Sequence, residues 1–495
     1  MSMVAGKVGT TVEVTGFDLT LGEIVAVARQ GGRVAVGPAA IDRMERGRGV
    51  LEAAVSRGER IYGATTSVGP KTAVSIGEAD VAEFSRRLLR THNAGHGPLA
   101  SREAVRATML VLLNALASGR TGVRPLLAWA IVDAINSDRS VAMHVWGSMG
   151  QSDMSSMSDL ALALFADTEL AAGEALALLN SSAMSTAMAA LALVDLDHLL
   201  HFSTFVSALS MEGYAANPSI VSPVALESRP LEGLRVQGQA IRDYLDGSYI
   251  LARNGPRNLQ DPLCFRSLPM VQGAAHDNLA FARRQIESEL NASQGNPVIS
   301  TDRGEMAAVA NFDMVSLCMA LDVARLGFAP LLTSSTERVA KLVDTTWSGL
   351  AVGLIEEDGV GAPGFNGVAL FHKSITSEAR LVTVPLAGEL ASSSHSNSVM
   401  DRASLAALGA RRAAELCLLG KSIVAMELMV AAQAVELRGH KPLGRRTAEL
   451  LAFAREAVPF AEAGRSPPNV QPLLDHIETA AGRIDALMSR RRVTA

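Results

Sequence analysis

Apolar positions along this chain recur mostly with a helical period, which predicts a molecule built of long helices. Near the start the pattern predicts a strand at Thr11–Val14, an amphipathic helix at Leu21–Arg29, a strand at Val34–Val36 and a helix opening at Pro38. The period is lost over 58–75. There Arg60-Ile61-Tyr62-Gly63-Ala64-Thr65-Thr66-Ser67-Val68-Gly69-Pro70 reads as a loop, of the length that can serve as a lid. Helical spacing returns at 78–93 and 101–118. The stretch from Gly147 to Asp159 reads as a small-residue turn feeding a helix. Its Ser and Asp side chains are suited to capping exposed N–H groups, and such a helix start favours negative charge. Nearly everything from there to 215 is helical, whereas 216–265 is irregular and broken by Pro218, Pro223, Pro230, Pro256 and Pro262. Long helices follow at about 270–292, 306–344, 367–380, 402–438, 446–463 and 470–490. The expected fold is mainly α. A smaller mixed N-terminal part, 1–215, carries the Tyr62 loop and the 151–153 helix start, and 216–495 forms a helical bundle.

Composition narrows the function classes. Apolar residues make up 48% and aromatic ones 4%, which suits packed helices. A net charge of -5 argues against a nucleic-acid binder, which would need a basic stripe. The most hydrophobic segment, about 182–211, is interrupted by Asp195, Asp197 and His198, so it reads as a buried helix and no membrane partner is expected. Cys264, Cys318 and Cys417 are scattered without disulfide or zinc spacing, and the first residues lack a signal-peptide apolar region. A cytoplasmic location is expected. His92 and His96 are four apart but have no third ligand nearby, so no metal is expected.

Two polar segments remain. In Leu259-Gln260-Asp261-Pro262-Leu263-Cys264-Phe265-Arg266, the arginine at a helix entry can clamp a carboxylate or simply form an intrachain ion pair. The polar loop 391–398 holds His395, whose ordinary pKa of about 6.5 suits proton transfer, although a lone loop histidine is by default merely exposed.

Taken in order, these segments resemble the aromatic amino-acid lyases: histidine, phenylalanine and tyrosine ammonia-lyases and the related aminomutases. The resemblance runs from about residue 11 to 440. It rests on Tyr62-Gly63 with Thr66 and Gly69, Thr91-His92-Asn93-Ala94-Gly95, the Gly147-Ser148-Met149-Gly150 turn and Glu174 to Asn180. Gln260-Asp261-Pro262 with Arg266, Asn296-Pro297 and Asn311-Phe312 complete it. The resemblance implies a helical fold of the fumarase/ammonia-lyase kind. It also implies a homotetramer whose sites are shared among three chains, and an amino-acid-like small-molecule substrate. It further implies a methylideneimidazolone electrophile made from an internal Ala-Ser-Gly, a loop tyrosine that removes the β-proton, and a His92 position facing the substrate side chain.

The chain departs from that pattern where the electrophile forms. Gln151-Ser152-Asp153 stands in place of Ala-Ser-Gly, and an aspartate Cβ and charge should resist the ring closure. Leu263 replaces the family's tyrosine, and His395-Ser396 replaces Gln-Glu. Tyr62, Asn180, Gln260, Arg266 and Phe312 stay in place. No cofactor is therefore expected. Tyr62, His395, Asp153 and Ser152 become the catalytic candidates, with Asp153 ionised and converging with Tyr62 and His395 on one pocket. His92, Asn180, Gln260, Leu263, Arg266, Phe312 and Gln151 become the substrate-binding ones. An ordinary amino acid has too weak a β C–H acid for tyrosinate, whose reference pKa is about 10. The expected chemistry is elimination, conjugate addition, cyclisation or isomerisation of an already activated amino-acid-derived carboxylate. The alternatives are an ammonia-lyase whose Gln-Ser-Asp cyclises after all, and a silent subunit completing the site of an active paralogue.

Overall fold

The computed structural model describes residues 9, 11–356, 361–387 and 399–489. In chain order its elements are β1 (Thr11–Val14), α1 (Leu21–Ala28), β2 (Arg33–Val36), α2 (Pro38–Ser56), α3 (Val81–His92), α4 (Arg102–Ala117) and α5 (Pro125–Asn136). Then come α6 (Met154–Phe165), α7 (Glu174–Leu179), α8 (Ala183–Tyr214), α9 (Pro223–Glu227), α10 (Glu232–Tyr244), α11 (Leu263–Arg266) and α12 (Leu268–Leu290). A short hairpin, β3 (Val298–Ser300) and β4 (Glu305–Ala307), leads into α13 (Val315–Val343), α14 (Thr345–Ser348) and α15 (Asn366–Leu381). The last four are α16 (Ala406–Arg438), α17 (Arg445–Ala457), α18 (Gln471–Thr479) and α19 (Ala481–Met488).

These elements form two compact units, each drawn from three stretches of chain. The first holds Met1–Val194, Ala282–Asp322 and Pro385–Ala413; the second holds Asp195–Phe281, Val323–Val384 and Ala414–Ala495. The grouping is interleaved, where the sequence pattern suggests one division after 215. Boundaries fall inside α8, α12, α13 and α16, helices whose apolar period runs on without a break.

In the first unit β1 and β2 pair in parallel, Thr11 opposite Arg33 through Val14 opposite Val36, with Val12, Val14 and Val34 inward. α1 opens on a Thr20/Glu23 capping box. Buried Arg106 on α4 donates to the carbonyls of Val27 (2.8 Å), Ile135 (2.7 Å) and Gly32 (3.0 Å), fixing three neighbouring segments with one guanidinium.

The second unit contains α10, which the proline count of 216–265 hides. Its Leu234, Gln237, Ala240, Ile241 and Tyr244 are buried at helical spacing, between Pro230 and Pro256. The hairpin likewise takes residues that the pattern assigns to the start of a helix at 306. Two apolar stretches, Glu174–Tyr214 and Val315–Val343, have the length and composition of membrane spans, but 83% and 61% of their most apolar windows is buried in the fold.

Fully buried His372 on α15 meets Thr336 Oγ1 at 2.9 Å and Ser335 Oγ at 3.2 Å. Burial drives its pKa down to about 4, against the pull of Glu427 and with the help of Arg338. A histidine lowered in this way stabilises the fold above its ordinary value of about 6.5 and loses that contribution as pH falls toward 4, up to roughly 3 kcal/mol. Thermal unfolding followed from pH 7 to 4 should show that decline, and His372→Gln should flatten it. An identical slope in the variant would assign the decline to other groups.

Candidate active site

Ser152 is the pivot of the 147–153 turn. Its φ of 64° lies in the left-handed region, which costs a non-glycine residue on the order of 1 kcal/mol. Packing holds it there. Gly150, at φ 81°, lies so close to 404–406 that a Cβ would come within 2.2 Å of Ser404 Oγ. Leu405 N–H donates to Met149 O (3.0 Å) and Ser404 Oγ to Gly150 O (2.5 Å). Ser152 Oγ donates to Asn180 Oδ1, and Asn180 Nδ2 donates to the Asn296 carbonyl at 3.1 Å. Gln151 forms a β-bridge with Asp313, which brings Phe312 beside the turn, and Gln151 Oε1 is buried without a hydrogen-bond partner among the described residues.

Asp153 is 0% exposed. It occupies the N-cap position of α6 yet makes no side-chain cap there. Its Oδ2 accepts the Ser185 N–H in the first turn of α8 (2.7 Å), and its Oδ1 accepts Ser185 Oγ (2.6 Å) and Ser148 Oγ (2.7 Å). The sequence places this carboxylate at the start of α6 as an ionised group. In the fold burial pushes its pKa up, opposed by Ser185, Ser148 and Arg411, and helix α8 receives the negative end. The serines that were expected to cap α6 do other work. Ser156 donates to His144 O (2.5 Å), Ser158 to Leu89 O (2.6 Å) and Ser155 to Trp146 O (3.4 Å), tying α3 and the 144–146 segment to α6.

On the loop after α2, Tyr62 Oη accepts the Gly69 N–H at 2.9 Å. Tyr62, Thr121, Asn180, Ser181, Gln294 and Asn296 line a pocket of ≈ 30 Å³, enough for water and too small for an amino acid. Asp153, fully buried, is not among the residues that line this pocket. His92, last residue of α3 and half-buried, donates its Nδ1–H to Leu88 O (2.8 Å), leaving Nε2 as an acceptor.

The family model for aromatic amino acid lyases matches residues 19–172 and 165–456. The chain belongs to the aromatic amino acid lyase family. It is 31% identical over 492 residues to a histidine ammonia-lyase from Anaeromyxobacter sp. (strain K), spanning 92% of this chain and 96% of that one. It is 29% identical over 474 residues to the enzyme of that name from Clostridium tetani, spanning 90% and 91%. Among solved structures, the ergothioneine degrading enzyme Ergothionase from Treponema denticola, in complex with desmethyl-ergothioneine sulfonic acid, superposes with a TM-score of 0.90. That match has 25% identity over 96% of this chain and 99% of that one. Tyrosine aminomutase from Streptomyces globisporus gives 0.87 at 24% identity over 97% of each chain, a likeness of fold.

Within this aromatic amino acid lyase, the first unit brings Tyr62, Asn180, Ser152, Gln151 and Phe312 into one connected neighbourhood. Gln260, Leu263 and Arg266 belong to the second unit, all exposed on the α11 turn, while Asp261, Cys264 and Phe265 between them are buried. Phe265 stacks on Tyr214 at 4.3 Å, and Asp261 accepts the Asn217 N–H at 2.6 Å. The turn is thus anchored by one set of side chains and presents the other. His395 lies outside the described residues. Among the described residues no cluster of three or more His, Cys, Asp or Glu could hold a metal ion.

Sequence motifs give no sign of His144. Its Nδ1–H and its backbone N–H both donate to Asp159 Oδ2 (2.9 and 2.8 Å), while Asn93 Nδ2 donates to Asp159 Oδ1 (2.6 Å). Only the fold brings 93, 144 and 159 together. The one sequence hint is Asn93, inside the motif next to His92.

Proposed function

We propose that this lyase works without a self-formed electrophile, by acid/base elimination on an amino-acid-derived carboxylate whose nitrogen is already a leaving group. The observation that carries the reading is the state of Gln151-Ser152-Asp153. Ring closure needs the Asp153 nitrogen to attack the Gln151 carbonyl carbon. Here that N–H donates to Ser181 O at 2.8 Å, and the buried carboxylate takes three further hydrogen bonds. Breaking them without water to replace them costs about 1–3 kcal/mol for each group left unpaired. This speaks against methylideneimidazolone.

A quaternary ammonium supplies a leaving group, and its departure in concert with proton removal eases the demand on β C–H acidity. Such a nitrogen has no lone pair with which to add to an electrophile, so the family's group would have nothing to capture. The β C–H proton passes to the phenolate oxygen of Tyr62, the C–N electron pair leaves with the tertiary amine, and the carbon skeleton becomes an α,β-unsaturated carboxylate. The proton then leaves with the amine, restoring Tyr62. Arg266 clamps the carboxylate, Gln260, Leu263, Phe312 and Asn180 bound the substrate, and His92 faces its side chain. His395 is Tyr62's partner in proton transfer, while Asp153 holds the turn. Neighbouring copies in a homotetramer would complete a site that offers only ≈ 30 Å³ within one unit. The likeness to a protein described as degrading ergothioneine, a trimethylammonium betaine with a thioimidazole ring, supports this substrate class.

The 31% identity to a histidine ammonia-lyase favours a second reading, ordinary deamination after an atypical cyclisation. Intact mass separates the two. The purified protein is expected to weigh what its sequence predicts and to release trimethylamine from ergothioneine. A mass lower by two waters, with a near-ultraviolet chromophore, would return the chain to the ammonia-lyase reading.

A further inference from the structure

His144 is held in a single orientation by a carboxylate that does little else. Asp159, with its side chain 7% exposed, spends Oδ2 on the His144 ring and backbone N–H and Oδ1 on Asn93. Since a carboxylate accepts, Nδ1 carries the proton that faces Asp159, and Nε2 is the ring nitrogen left to take a hydrogen bond when the ring is neutral. That Nε2 has no hydrogen-bond partner among the described residues, and 32% of the His144 side chain is exposed. A strut would have its far nitrogen satisfied or wrapped; this one is kept available.

The neighbourhood gives the free nitrogen a purpose. The 92–95 segment closes directly onto His144: a Cβ on Gly95 would lie 3.1 Å from His144 Cβ and 3.5 Å from Asp159 Oδ2. Asn93 ties the same segment to Asp159 from the other side. His92 also uses its Nδ1–H on the protein, so two imidazoles flank one short segment and both keep an Nε2 acceptor. An Nε2 acceptor in a fixed orientation is complementary to a side chain that carries an N–H group.

We propose that His144 is a specificity-determining residue: its Asp159-oriented Nε2 accepts a hydrogen bond from a ring N–H of the substrate, so the site prefers an N–H-bearing heteroaromatic side chain over a phenyl one. The inference rests on the reading above in placing the substrate side chain at His92. It does not depend on which bond the enzyme breaks.

Binding of two unsaturated acids tests it without turnover. 3-(Imidazol-4-yl)acrylate and cinnamate share the carboxylate and the spacing and differ in the ring N–H. The whole enzyme should bind the imidazole acid more tightly, and His144→Leu should reduce that preference roughly tenfold while leaving cinnamate affinity in place. His144→Asn, which can still donate to Asp159 but has no group at the Nε2 position, should not restore the preference. His144→Gln, whose amide oxygen reaches that position, should restore part of it. Unfolding midpoints of all three variants, measured alongside, exclude a folding defect. Equal binding of the two acids by the wild type, or a preference that survives in the Leu variant or returns in the Asn variant, would overturn the assignment. Failure to release trimethylamine from ergothioneine, with the His144-dependent preference intact, would sink the elimination reading and leave this one standing.

Discussion

Replacing Tyr62 by phenylalanine is expected to lower kcat on a betaine substrate by about two orders of magnitude or more, the usual loss when a general base is removed. The substitution takes away one oxygen and keeps the ring, which shares a pocket lining with Ile61, Ala64 and Leu176, so the loop has little reason to rearrange. What the fold loses is the acceptor for the Gly69 N–H, about 1 kcal/mol at a partly exposed position. KM should therefore move much less than kcat. The contrast matters because Tyr62 reaches the site only through its loop. A variant that loses KM and kcat together would mean that the 62–69 turn, and not the hydroxyl, carries the effect. An unchanged kcat would remove Tyr62 from the chemistry and would shift the base to another group.

Much of the candidate site is legible in the sequence because its parts are local. Tyr62 stands out on a loop without helical period. Gln151-Ser152-Asp153 stands out because an aspartate cannot replace glycine without consequence. Arg266 stands out at a helix entry within a polar segment, although only the fold shows that 260, 263 and 266 are exposed together while 261, 264 and 265 are buried. What could not be read is what each polar group is paired with. A serine-rich helix start looks like a set of caps, yet Ser155, Ser156 and Ser158 serve the carbonyls of residues 146, 144 and 89. Asp153 looks like a charge at the start of α6 and instead caps α8 from a buried position, a partnership over 32 residues that no local pattern encodes. The same blindness hid α10, whose apolar stripe is clear but whose flanking prolines suggested disorder of pattern, and it hid the interleaving of the two units within uninterrupted helices.

The second large effect lies in the second unit. Glu427 and Arg338 are both 0% exposed and paired twice, Nε to Oε1 at 2.6 Å and NH2 to Oε2 at 2.8 Å. Ser210 and Ser335 donate to the remaining lone pairs at 2.7 and 2.5 Å. Burial alone would raise the Glu427 pKa, but Arg338 and the two serines more than offset it and hold the carboxyl below its ordinary value. Glu427→Ala would strand a guanidinium in the core, and a loss of roughly 3–5 kcal/mol is expected by denaturant unfolding. The double variant Arg338→Met/Glu427→Leu should recover much of that stability, because the cost comes from the unpaired charge more than from the missing pair. Recovery of stability need not mean recovery of function. Arg338 NH1 also donates to the Cys264 carbonyl at 3.3 Å, inside the turn that presents Leu263 and Arg266. If the pair exists to hold that turn, the refolded double variant should keep its stability and still bind carboxylate ligands more weakly than wild type. If it binds them equally well, the ion pair is a feature of the core alone, and α11 is positioned by Phe265 and Asp261 without it.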